Sequence, residues 1–160
     1  MRKVEERMIK RVIEFILLPM LMLVIYATAR FLLGVFGVPY APRGNAVFSV
    51  LGLAVISCVY YGALSKRVGG FGWGGTILTG YFIGLFAQIL IFTATLLTFL
   101  LGLDTYYTHW DALNVPEGTV VSMGDAMTAR AVGLVFGPVL PTIAVVIGRL
   151  LSGLAPKSKG

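Results

Sequence analysis

The sequence predicts an all-α integral membrane protein: one domain over residues 1–160, four transmembrane helices in a bundle, short loops, and N and C termini in the cytoplasm. Three observations carry this. Four long apolar stretches, at residues 8–36, 46–65, 73–103 and 126–152, each match or exceed the ~20 apolar residues a helix needs to cross ~30 Å of hydrocarbon. Only 12% of the residues are charged and 58% are hydrophobic, whereas a soluble domain carries about 25% charged residues, so most of this surface faces something other than water. Finally, the charges are segregated. Arg2, Lys3, Arg7, Lys10 and Arg11 precede or open the first stretch, Lys66 and Arg67 follow the second, and Arg149, Lys157 and Lys159 close the fourth. Only Arg30, Arg43 and Arg130 fall at the opposite boundary. Cytoplasmic loops are enriched in Lys and Arg, which places both termini inside.

The N-terminal segment Val4–Glu14 carries charges at helical spacing, with Glu6 and Lys10, and Arg7 and Arg11, four apart. It reads as a cytoplasmic extension of the first helix. Pro19 is expected to kink that helix modestly. A basic start, an apolar run and Ala27-Thr28-Ala29 have the form of a cleavable secretory signal. Glu14 inside the run, and its continuation through Phe31-Leu32-Leu33, favour an uncleaved first span instead.

The first loop, Gly37-Val38-Pro39-Tyr40-Ala41-Pro42-Arg43-Gly44, is a turn by composition, and Asn45 is expected to cap the second helix. Tyr60 and Tyr61 near the far end of that helix suit a membrane interface. The glycine-rich loop at residues 68–75 lacks the G-x-x-x-x-G-K-[ST] pattern of a phosphate-binding loop and reads as a tight hairpin.

On the third span, helical geometry collects Thr76, Gly80, Gly84, Ala87, Gln88, Ile91, Thr95, Thr98 and Gly102 on one face about 120° wide. Leu78, Phe82, Leu85, Phe86, Ile89, Leu96 and Leu100 share the other. The fourth span repeats the pattern, with Ala126, Ala129, Arg130, Gly133, Gly137, Pro141, Ala144 and Gly148 together and Val135, Val139, Ile143 and Val146 pointing away. Lipid is as apolar as leucine, so hydrophobicity cannot bring helices together in a bilayer. Small residues can, by letting backbones approach. Gly80-x-x-x-Gly84 and Gly133-x-x-x-Gly137 are therefore the expected helix-packing motifs.

The loop between the third and fourth spans, residues 104–125, is acidic and expected outside. Asp104, Asp111, Glu117 and Asp125 lie in it, and no Lys or Arg does. Arg30 and Arg130 sit at the same boundary, so at least one is expected to pair with Asp104, Asp111 or Asp125. Asp104, His109 and Asp111 offer oxygen and nitrogen donors of the kind metals use. Their neighbours Tyr106, Tyr107 and Trp110 also fit an interfacial aromatic belt, and no nucleophile stands at a diagnostic spacing. Thr119-Val120-Val121 suggests a short extended piece. Ser122 or Asp125 is expected to cap the fourth helix.

Several function classes are excluded. The single cysteine, Cys58, rules out an intramolecular disulfide and CxxC chemistry. The single histidine rules out bis-histidine haem ligation within one chain. The net charge of +6 marks orientation and contact with lipid headgroups, not nucleic acid. The paired cysteines of quinone-linked thiol oxidases, the paired histidines of four-helix b-type cytochromes, and the glycine-rich and Thr-Thr-Phe signatures of fluoride channels are all missing. The small subunits of tripartite uptake transporters are similar in length and span count only, which is a likeness of fold.

The expected function is that of a non-enzymatic subunit of a bacterial cytoplasmic membrane, assembling with itself or with a larger membrane complex. Its partners are membrane lipid and protein, and it uses no cofactor or metal. The alternative is a small oligomeric channel or transporter, with Thr76, Gln88, Thr95 and Thr98 as its polar lining.

Overall fold

The computed structural model describes residues 2–38 and 48–154. They form helices α1 (Arg2–Phe15), α2 (Leu17–Val35), α3 (Val50–Ser65), α4 (Trp73–Leu100), α5 (Trp110–Leu113), α6 (Met123–Phe136) and α7 (Val139–Leu150), with 3₁₀ turns at Tyr106–Thr108 and Leu151–Leu154. Among the described residues there is no strand, so the extended piece expected at 119–121 does not form a sheet. Three helical stretches are long and apolar enough to cross a membrane: Leu17–Val35, Trp73–Leu100 and Met123–Gly153. Their outward faces are apolar, with Leu17, Leu18, Leu21, Ile25, Val132, Val135, Phe136, Ile143 and Ile147 exposed. A water-soluble monomer rarely exposes a contiguous apolar surface on this scale.

Each departure from the expected spans has a local cause. The stretch at 8–36 is two helices, broken at Ile16. Pro19 has no N–H for the Phe15 carbonyl, and its ring crowds that carbonyl, so the chain turns one residue later. The first apolar helix therefore begins at Leu17. α1 instead lies against α4 and α2, burying Val12 and Ile16, and an edge-to-face chain of Tyr61, Phe15 and Phe71, at 5.1 and 5.2 Å, holds it there. The stretch at 46–65 is a helix of 16 residues, about 24 Å at 1.5 Å per residue, shorter than the ~30 Å hydrocarbon core. Ser49 caps it by accepting the Gly52 N–H at 3.1 Å. Asn45, the expected cap, lies outside the described residues. The stretch at 126–152 breaks at Gly137–Pro138, where Pro138 and Pro141, three residues apart, remove two backbone donors within about one turn. Ser122 caps α6, accepting the Asp125 N–H at 3.2 Å and donating to Asp125 Oδ2 at 2.6 Å.

α4 is central, touching α1, α2, α3, α6 and α7, while the most extensive pair is α3 with α7. That pair meets backbone to backbone. A Cβ on Gly62 would strike the Val145 carbonyl, and one on Gly148 the Val59 carbonyl. On α4, a Cβ at Gly80 would come within 2.9 Å of the Pro141 oxygen, and one at Gly84 within 2.8 Å of Pro138 Cα. Gly133 faces a side chain instead, the amide of Gln88, while a Cβ on Gly137 would meet both that amide and the Gly133 carbonyl. Beyond the break, α6 packs chiefly on α4, and Ala126 is its one buried residue.

Candidate functional site

Segment 104–114 crosses the end of the helices opposite Lys66 and Arg67, and buried polar groups bolt it down. Thr98 Oγ1, in the last turn of α4, is hydrogen-bonded to Thr105 Oγ1 at 2.8 Å, accepting from it while its own proton goes to the Ala94 carbonyl. Gly34 lets α2 approach so closely that a Cβ there would lie 2.7 Å from Thr105 Cα. Tyr107 turns inward and donates its hydroxyl to the Ala27 carbonyl at 3.1 Å. His109 caps α5, its Nδ1 accepting the Asp111 N–H at 3.3 Å, and Asn114 ends α5 in the left-handed conformation at φ 58°, which asparagine tolerates well.

The two arginines expected at this boundary do different work. Arg130 on α6 donates Nε to Thr95 Oγ1 at 3.1 Å, Nη1 to the Ala112 carbonyl at 3.3 Å and Nη2 to the Tyr107 carbonyl at 2.9 Å. It thus ties the loop to α4 through neutral oxygens. Arg30 on α2 is 8% exposed and lays its guanidinium over the Tyr106 ring, 3.5 Å from the centroid. That is a cation–π contact, which strengthens when desolvated. Of the expected acidic partners, Asp125 is engaged in the α6 cap, Asp111 is buried and Asp104 is exposed.

Between these groups is a pocket of about 250 Å³. Its polar wall includes Arg30, Arg130, Tyr106 and Asp111, and its apolar wall includes Val50, Leu51 and Ile91. The break at Gly137–Pro138 makes room for it: α7 runs along α3, whereas α6 leaves α3 and stays with α4. Both charge signs and an aromatic ring line a small space with a greasy floor. A lining of this kind suits a small ligand with both polar and apolar parts.

Burial pushes the Tyr107 phenol up to about 12, against the opposing pull of Arg30 and Arg130. The folded protein therefore holds this proton more tightly than the unfolded chain, whose phenol titrates near 10. The resulting stabilisation, about 2–3 kcal/mol, is complete below pH 10 and is lost as pH rises from 10 through about 12. Over that window the melting midpoint of the wild type is expected to fall more steeply than that of Tyr107→Phe. Parallel slopes would remove this role for Tyr107.

The polar residues expected to line a path are used inside the fold. Thr95 and Thr98 are buried and donate to the Ile91 and Ala94 carbonyls, each at 2.8 Å. The single hydroxyl proton of Thr76 has two acceptors in reach, Ser65 Oγ at 2.9 Å and the Gly72 carbonyl at 3.1 Å. Thr76 also receives an N–H from Arg149, which in addition donates to the Phe71 carbonyl at 3.0 Å and lies over Trp73. Thr76 is thus at the opposite end of α4 from Thr95 and Thr98, and Gln88 lies between them against the α6–α7 break. Nothing in the sequence brings Arg149, Ser65 and Thr76 together. Arg149 and Thr76 are each visible there as single polar residues on different spans, and Ser65 carries no signal at all. Among the described residues no three His, Cys, Asp or Glu side chains gather as a metal site would require.

No protein-family model, no curated protein and no solved structure matches this chain.

Proposed function

We propose that this chain is a non-enzymatic subunit that crosses the bacterial cytoplasmic membrane four times, with both termini in the cytoplasm, and that it assembles with copies of itself or within a larger membrane complex. The observation that carries the assembly reading is α6. It is covered by α4 and leaves Gly124, Thr128, Ala129 and Ala131 exposed, small residues of the kind that let a neighbouring helix approach in lipid. The fourth crossing is α3. It is apolar, lies along α7 and α4, and is short by an amount that local thinning of the bilayer accommodates at modest cost. Orientation rests on the basic residues around α1, Lys66 and Arg149 against the acidic 104–125 segment.

Orientation is checked with single cysteines. Val120 is 96% exposed, and Val120→Cys is expected to react with a membrane-impermeant maleimide in intact cells. Lys66→Cys should react only after permeabilisation. The native Cys58 is buried and serves as the silent background. The reverse pattern would overturn the orientation. Assembly is checked by native mass spectrometry after gentle extraction, where fixed-stoichiometry complexes are expected. A lone chain that conducts solutes in proteoliposomes would replace this reading with the small channel or transporter, lined by Thr76, Gln88, Thr95 and Thr98.

A further inference from the structure

From the walls of the Arg30–Arg130 pocket, we infer that it is a binding site for a small zwitterion: an anionic phosphate or carboxylate group with a primary ammonium a few bonds away, as in a phosphoethanolamine headgroup or a free amino acid. This does not rest on the chain's orientation or on its assembly.

The anionic end is read by arginine. A guanidinium carries five N–H donors in a planar fork, and among the described residues Arg130 commits three of them, to Thr95, Ala112 and Tyr107. The other two remain for an oxyanion at the pocket wall that Arg130 forms. Arg30 brings a second positive charge to the same wall, its plane held by Tyr106. The cationic end is read by Asp111, which lines the pocket and is 8% exposed. A carboxylate accepts several hydrogen bonds at once, so an ammonium adds to whatever Asp111 already holds.

The presence of both signs is what selects a zwitterion. A simple anion would gain from the two arginines but would leave its charge facing the Asp111 carboxylate in a partly desolvated space, where like charges repel strongly. A simple cation meets the reverse problem at Arg30 and Arg130. A volume of about 250 Å³ is at the small end for ligand sites, which suits a headgroup or an amino acid. Val50, Leu51 and Ile91 supply apolar surface for an acyl-glycerol stem or an aliphatic side chain.

The test uses the full chain purified in detergent and titrated with dioleoyl phosphatidylethanolamine, its anionic counterpart phosphatidylglycerol, water-soluble glycerophosphoethanolamine, and leucine. Thermal shift and native mass spectrometry provide the readouts. Saturable stabilisation and a one-to-one adduct are expected with a zwitterion, with affinity at least about tenfold above that for phosphatidylglycerol, since one charge-assisted hydrogen bond is worth about that factor. Response to phosphatidylethanolamine and glycerophosphoethanolamine but not to leucine assigns the lipid headgroup; the converse assigns a free amino acid. Asp111→Asn should abolish the preference over phosphatidylglycerol. Leu51→Trp, made on a side chain already 37% exposed and therefore compatible with folding, should block binding altogether. Equal response to phosphatidylglycerol, no saturable response to any probe, or undiminished binding by Leu51→Trp would each overturn the proposal.

Discussion

Replacing Gly148 by alanine is expected to lower the thermal midpoint of the protein by about 5–10 °C, and Gly62→Ala by a similar amount. Each added methyl lands on a backbone carbonyl of the partner helix, Val59 for Gly148 and Val145 for Gly62. A flexible side chain can swing away from a new methyl, but a helix carbonyl moves only with its helix. The two sites belong to the same pair, α3 and α7, so relief at one requires separating contacts along the whole interface. Over-packing of this kind costs about 1–3 kcal/mol, and in a chain of this size 1 kcal/mol is worth about 2–4 °C. Gly133→Ala should be milder, because its new methyl meets only the Gln88 amide, which has rotamers to spare. Gly74→Ala is the control: nothing lies within 4 Å of a Cβ there, and its midpoint should stay within about a degree of wild type. Melting curves of the four variants in one detergent decide the matter. If Gly133→Ala proves worse than Gly148→Ala, α3–α7 is not the tight pair.

Arg130→Leu is expected to free the 104–114 segment and to cost about 3 kcal/mol. The change removes three donors and leaves the Tyr107 and Ala112 carbonyls and Thr95 Oγ1 without them. Hydrogen bonds from a charged group contribute about 1.5–3 kcal/mol each, and a buried acceptor left unmet adds its own desolvation cost. The sum is capped because the freed loop can rehydrate. The visible sign should be rapid protease cleavage near the exposed Glu117–Val120 turn at temperatures where the wild type resists. Arg130→Lys should recover part of the loss, since an ammonium on a flexible stem reaches one or two of the three oxygens but cannot span them as the guanidinium fork does. A leucine variant as protease-resistant as wild type would show that Thr98–Thr105 and Tyr107–Ala27 hold the loop unaided.

Much of the helical layout was legible because apolar length and Pro, Gly and Ser punctuation are local signals. The cap at Ser122, the approximate bounds of α4 and the small-residue face of α4 follow from them. Thr76, Gly80, Gly84, Ala87, Thr95 and Thr98 are all buried, and Gly102 is the exposed exception, ending the helix at φ +62°. The breaks were less legible. Pro19 suggested a modest kink, whereas it separates an amphipathic α1 from the apolar α2. Pro141 looked like a face residue of one continuous span, whereas together with Pro138 it divides that span. The candidate site was legible as residue types at one boundary. Arg30, Arg130, Asp104, Asp111 and Asp125 were singled out there by charge and position, without the neutral partners that position them. The structure gives Arg130 neutral oxygens, Arg30 an aromatic ring and Asp125 a cap serine.

Composition and hydropathy alone determined that this chain is helical, that it has helices long and apolar enough for a membrane, and that most of its basic residues are segregated from the acidic 104–125 segment, because each of these is a property of consecutive residues. Only the tertiary structure decided which glycines matter and which polar groups meet. Gly62 and Gly148 lie far apart in sequence, as do Arg149 and Thr76, or Tyr107 and Ala27. Their contacts depend on how α6 turns away from α3 while α7 stays, and that turn follows from two missing backbone donors and from the packing of every helix around α4.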